Sequence, residues 1–279
     1  MFGKLLKYEW RASKRLLGLL TLAALGAGVL GTVLVRLMTV AESVLEEDAV
    51  MVVGVSVLIV GIGFLALTLV AYSVATQIWL AVRFYKNKYT DEGYLTFTLP
   101  VNSHEIFLSS LVNYILWTVI SALTVIAAVL MVFVFGFAEE GLFNTEGMRT
   151  LQTFLGSIEE FAGEQVALRA VLRVLQVLTG LVSAPVIVMT SITLGAVVAK
   201  KHKIVAAIGI YYGINMVTST LTTMVTTAVS VSSVMAGTAF DAETYSMGIL
   251  VGQLLLQTGL AVGGYFVSTA LMRKKLNLP

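Results

Sequence analysis

Residues 50–82 read VMVVGVSVLIVGIGFLALTLVAYSVATQIWLAV, a run without a single charged side chain. At ~1.5 Å rise per residue such a run crosses a hydrocarbon core of roughly 30 Å and still projects a few helical turns beyond it. Working outward, comparable apolar runs lie near 16–40, 106–137, 170–199, 204–236 and 247–272. The pattern predicts an all-α integral membrane protein with six transmembrane helices. Composition agrees: of 279 residues 58% are hydrophobic and only 12% charged, against about 25% charged in a soluble domain. The mean hydropathy is +0.92. One transmembrane domain therefore takes the whole chain. The first run exceeds the ~7–15 apolar residues of a secretory leader, and no small-residue cleavage pattern follows Met38, so it is expected to be retained.

Charge sorts the connecting segments by side. Fourteen of the 18 lysines and arginines fall in 1–15, 83–105, 200–203 and 273–275, whereas 138–173 and the other alternate segments are acidic. The positive-inside rule then predicts both termini in the cytoplasm. The localisation expected is multi-pass, in a bacterial cytoplasmic membrane. Within 1–15, Lys4, Lys7, Arg11, Lys14 and Arg15 share one arc of a helix, with Phe2, Leu5, Leu6 and Trp10 opposite. This predicts an N-terminal interfacial amphipathic helix whose cations meet anionic lipid, with Glu9 interrupting its apolar face. The plain alternative is an extension of the first span. Segment 138–165 places Met148, Leu151, Phe154, Leu155, Ile158 and Phe161 at helical spacing and predicts an external amphipathic helix. It either caps the outer mouth or rests on the outer leaflet. Arg169 and Arg173 are read as anchors pairing with Glu160 or Glu164 or reaching headgroups.

Chemistry is sparse. There is no cysteine, and the two histidines, His104 and His202, are too few for a metal cluster. Walker-type phosphate loops, HExxH and GxSxG are absent from the sequence, so no catalytic, cofactor-binding or metal-ligating residue is assigned and no enzyme is expected. The spans lack mid-depth carboxylates, which argues against an ion-coupled carrier. A nucleic-acid partner is not expected either. Hydroxyls concentrate in the fifth span, where Thr218, Thr222, Thr226 and Ser230 form an i, i+4 stripe that suits either helix packing or a translocation path. Gly209 with Gly213, Gly248 with Gly252 and Gly259 with Gly263 have close-packing spacing. Gln253 and Gln257 share a face of the last span and read as interhelical hydrogen bonds, as do Asn113 and Asn215. Pro185 is expected to kink the fourth span.

The segment 83–111, RFYKNKYTDEGYLTFTLPVNSHEIFLSSL, is unlike the other loops. Tyr85, Tyr89, Tyr94 and Phe97 suit an interface, Asp91 and Glu92 are the acids of a basic surface, Pro100 breaks the chain, and Ser103 is expected to cap the third span. The order RFYKN, TDEGYL, TLPV resembles the corresponding loop of ABC-2 type permeases of Gram-positive, especially clostridial, bacteria. The opening MFGKLLKYEW is similar to that family's N-terminal helix. Where family members often carry a basic residue near position 103 and Lys near 110, this chain has Ser103 and Ser110.

The resemblance implies the membrane-spanning subunit of an ATP-binding cassette exporter, working as a dimer with a second copy or a paralogue. ATP and Mg would be bound and hydrolysed by separate cassette ATPase subunits. It also implies that 83–105 is the coupling loop, with Lys88, Tyr89, Asp91, Glu92, Tyr94, Phe97 and Pro100 as the candidate residues that engage the ATPase. The alternative is a membrane sensor or immunity protein that binds a peptide without transporting it.

Overall fold

A computed structural model describes residues 2–42, 47–90, 93, 101–136, 149, 152–153, 156, 166–199, 201–235 and 242–274. Six long helices account for nearly all of them: α1 (Phe2–Glu42), α2 (Glu47–Tyr89), α3 (Ser103–Met131), α4 (Val166–Val198), α5 (Lys203–Met235) and α6 (Ala242–Lys274). One π-helical turn, Val132–Gly136, follows α3. All six are long and apolar enough to cross a membrane, so the chain is a multi-pass membrane protein. Helices of this kind answer the bilayer's central demand, because every backbone N–H and C=O finds its partner inside the segment.

Several expectations change at the ends of elements. The amphipathic stretch 2–15 is helical, but as the opening turns of α1 without a break into the first span. Asn102 rather than Ser103 occupies the cap position of α3: its carbonyl accepts from the backbone N–H of Glu105 at 2.9 Å and of Ile106 at 3.2 Å. α4 runs as one helix through Pro185. The external segment predicted over 138–165 lies almost wholly outside the described residues.

The chain divides into two compact units. The first comprises residues 1–9, 81–115 and 159–279. At its centre is α4, packed along both α5 and α6. Gly195 makes the α4–α5 hairpin possible, since a Cβ there would lie 2.5 Å from the backbone nitrogen of Ala207. Gly252 likewise admits Val225 of α5, and Gly264 admits Val186 and Thr190 of α4. A core of Phe84, Tyr89, Phe107, Leu111, Val186, Met189, Ile192, Ala207 and Met272 gathers where the end of α2 and the start of α3 meet α4. Phe107 is the hub, fully buried, with Phe84 and Tyr265 edge-on at 6.3 and 5.4 Å.

The second unit comprises residues 10–80 and 116–158. Ala24, Val35, Leu65, Leu69, Tyr72, Ala128 and Val132 form its core. Gly28 lets α1 close on the backbone of Ala128, and Trp10 stacks on Trp117 at 4.9 Å. Thr21 donates to the carbonyl of Leu17, so the 3.0 Å bond to Tyr72 is donated by the tyrosine.

Candidate functional site

Glu9 decides the geometry of the polar site in the first unit. It sits on the less exposed side of the first turns of α1, where Phe2, Leu5 and Leu6 are partly covered while Lys4, Lys7 and Tyr8 are exposed. A carboxylate there would be costly without partners. It has four. Its Oε2 accepts from Arg83 Nε at 3.3 Å and Asn87 Nδ2 at 3.4 Å, and its Oε1 accepts from Lys88 Nζ at 3.3 Å and Ser110 Oγ at 3.2 Å. The carboxylate is 11% exposed and the Lys88 side chain 4%, so these pairs are shielded from solvent far more than surface ion pairs are.

The donors come from the last two turns of α2 and the first turns of α3. Arg83, Asn87 and Lys88 follow one another at i, i+4 and i+5, which puts them on one side of α2. One acid and two bases leave a single positive charge in the cluster. Glu9 thereby ties three helix ends into one polar knot.

A second tie lies beside it. Tyr89 is buried, and its hydroxyl lies 2.7 Å from Thr193 Oγ1 on α4. Thr193 donates its own proton to the carbonyl of Met189 at 2.8 Å, so Tyr89 is the donor. Thr90 closes α2 by donating to the carbonyl of Lys86, and the backbone of Gly93 turns back on Thr90. On the far flank His104 Nδ1 meets the Tyr265 hydroxyl at 3.1 Å. Both ends of segment 83–111 are thus fastened to the helices of their own unit.

Among the residues singled out from the sequence for engaging an ATPase, Lys88 and Tyr89 are turned inward and serve as these fastenings. Asp91, Glu92, Tyr94, Phe97 and Pro100 lie outside the described residues. Thr218, Thr222, Thr226 and Ser230 sit along the half-buried side of α5, each donating to the carbonyl four residues earlier in its own helix. Gln253 and Gln257 do make interhelical bonds: Gln176 donates to Gln253 at 2.6 Å, and Thr179 meets Gln257 at 3.2 Å, while within α4 Arg173 donates to Gln176 at 3.2 Å. About three turns further along α4, Thr190 donates to the Gly264 carbonyl and receives a bond from Ser268. The Glu9 cluster and this α4–α6 ladder were not assembled from sequence. The signal for Glu9 was present, since a lone acid on the apolar side of an amphipathic helix requires a basic partner; for the ladder only Gln253 and Gln257 stood out.

Comparison with known proteins finds no family model, no curated protein and no solved structure that matches the chain.

Proposed function

We propose that the chain is the membrane-spanning permease subunit of an ATP-binding cassette exporter of the ABC-2 type, in a bacterial cytoplasmic membrane. Separate ATPase subunits hydrolyse ATP, and a second permease completes the assembly. The resemblance of segment 83–111 to the coupling loop of such permeases carries the reading. Two features support it. The six apolar runs of the sequence contain no Asp or Glu, the groups an ion-coupled carrier would titrate, so work done on a cargo would be driven from outside the chain. In addition, the ends of the loop are bound to α1, α3 and α4 through Glu9 and Tyr89, so a push on the loop moves those helices rather than a slack connector.

In this reading 83–105 faces the cytoplasm, Asp91, Glu92, Tyr94, Phe97 and Pro100 engage the ATPase, and Lys88 and Tyr89 transmit its movement inward. The cationic side of residues 4–15 rests on anionic headgroups. Nucleotide-driven closure of the ATPases then selects between two arrangements of the bundle. The test is to co-express the chain with a cassette ATPase encoded beside it and measure ATP hydrolysis of the purified complex with and without Asp91→Ala plus Glu92→Ala. The expected result is co-purification, with hydrolysis uncoupled or the ATPase released by the double change. If no ATPase associates, the reading falls and a peptide-sensing or immunity role replaces it.

A further inference from the structure

The seam between α4 and α6 lies within the first unit, and its chain of bonds fixes which way each amide points. An arginine carries donors only, so Gln176 turns its oxygen to Arg173 and its nitrogen to Gln253, and Gln253 meets that nitrogen with its oxygen. The Gln253 amide nitrogen is thereby turned away from Gln176, half-buried, with neither proton given to an acceptor among the described residues. Arg173 is exposed and gives one N–H to Gln176, which leaves the rest of its guanidinium for a partner from outside the chain. The seam therefore ends in unspent donors and one positive charge. Hydrocarbon does not satisfy either.

Depth in the bilayer narrows what can. Arg173 and Gln253 lie within two turns of Leu168 and Met247, where their spans begin. Gln253 is bonded to Gln176 and so sits at its level, three residues or about 4.5 Å deeper than Arg173. A phospholipid presents acceptors in the same order. Its charged phosphate lies in a headgroup layer roughly 5–7 Å deep on each side, and its uncharged ester carbonyls lie where that layer meets the hydrocarbon. The cation thus falls at the depth of the phosphate and the neutral amide at the depth of a carbonyl. Beneath them there is room for a chain. Gly180, at i+7 from Arg173 and i+4 from Gln176, shares their face of α4, is half-buried, and would meet nothing within 4 Å if it carried a Cβ.

We propose that the head of the α4–α6 seam is a binding site for one glycerophospholipid, with its phosphate on Arg173, an ester carbonyl accepting from the Gln253 amide, and an acyl chain lying against Gly180. The site needs only that these helix ends meet the headgroup layer, so it stands or falls apart from the transport function proposed above.

Native mass spectrometry of the full chain in detergent tests it by titration with dioleoyl phosphatidylglycerol and with the diether analogue, which keeps the phosphate and both chains but has no carbonyl. The expected result is one lipid retained per chain, with the diester favoured about fivefold. Gln253→Leu should erase that preference, a ratio that a general loss of stability does not move. Arg173→Leu should weaken both lipids about tenfold. Gly180→Leu removes no polar group and suits a helix, and it should weaken both by a similar factor. Soluble glycerophosphoglycerol at the same concentration should not displace the lipid. Equal retention of the two lipids by the unaltered chain, a preference that survives Gln253→Leu, indifference to Arg173→Leu or to Gly180→Leu, or displacement by the soluble headgroup would each overturn the proposal.

Discussion

Neutralising Glu9 removes from Arg83 and Lys88 the carboxylate that both pair with among the described residues, and Lys88 has almost no solvent to turn to. Glu9→Gln keeps the shape and the acceptor oxygen, so it isolates the charge. The expected cost is on the order of 2–3 kcal/mol, toward the low end for a buried pair because the Arg83 side chain retains 16% exposure. Thermal or denaturant unfolding of the purified protein in detergent measures it. Adding Lys88→Met should return a large part of the loss, since one remaining cation with a path to solvent is tolerable. If Glu9→Gln unfolds like the unaltered protein, the knot holds nothing together. A second residue-scale contrast sets Gly195→Ala against Gly209→Ala. The first drives a methyl into the Ala207 backbone, while the second meets open space. A loss of about 3 kcal/mol, or failure to fold, is expected for the first, and a change within about 0.5 kcal/mol for the second.

Between elements, the α4–α6 seam is held by side chains that bond across it at two levels, Gln176 with Gln253 and Thr179 with Gln257 at one, Thr190 with Gly264 and Ser268 at the other. Such bonds in a bilayer contribute about 0.6 kcal/mol each on average and up to roughly 1.7. Gln176→Leu and Gln253→Leu should therefore each cost about 1 kcal/mol in the same unfolding assay, and the double change little more than either, because both remove the bond the two amides share and Gln176→Leu loses besides it only the exposed contact from Arg173. Full additivity would mean that the two amides act separately. Sequence alone pointed to Gln253 and Gln257 as bonding groups, since two amides four residues apart on one helix share a face. It did not supply Gln176, Thr179, Thr190 or Ser268 as the partners. Those lie more than seventy residues away along the chain, and no periodicity within one helix reports on the register of another.

For the molecule as a whole, the number and approximate extent of the spans were legible because each depends only on a local run of apolar residues. Segments 16–40 and 50–82 fall inside α1 and α2, and the four later runs coincide with α3 to α6 within a few residues. Continuity of α1 from Phe2 was not legible in the same way, since a change from amphipathic to wholly apolar pattern need not interrupt a backbone that stays helical. Lys88 and Tyr89 were named as candidate ATPase contacts through the resemblance of the loop around them, and their inward bonds were not legible because the partners, Glu9 and Thr193, are distant in sequence. The orientation drawn from fourteen of 18 cations has a direct test in the cysteine-free chain. Lys14→Cys and Lys201→Cys should react with an impermeant thiol reagent only after the cells are opened, and Arg149→Cys in intact cells. Labelling of Lys14→Cys from outside would invert the topology.

The Glu9 knot also has a timetable. Its carboxylate is completed by Ser110, 101 residues later in the chain, and ribosomes add about 5–20 residues per second. For roughly 5–20 s after Glu9 is made, then, the opening turns of α1 carry an acid whose set of partners is incomplete: Arg83, Asn87 and Lys88 follow 74 to 79 residues later, and only the arrival of α3 completes the knot. A nascent chain halted before Ser103 should accordingly leave its first residues open to a protease that a chain halted beyond α3 excludes.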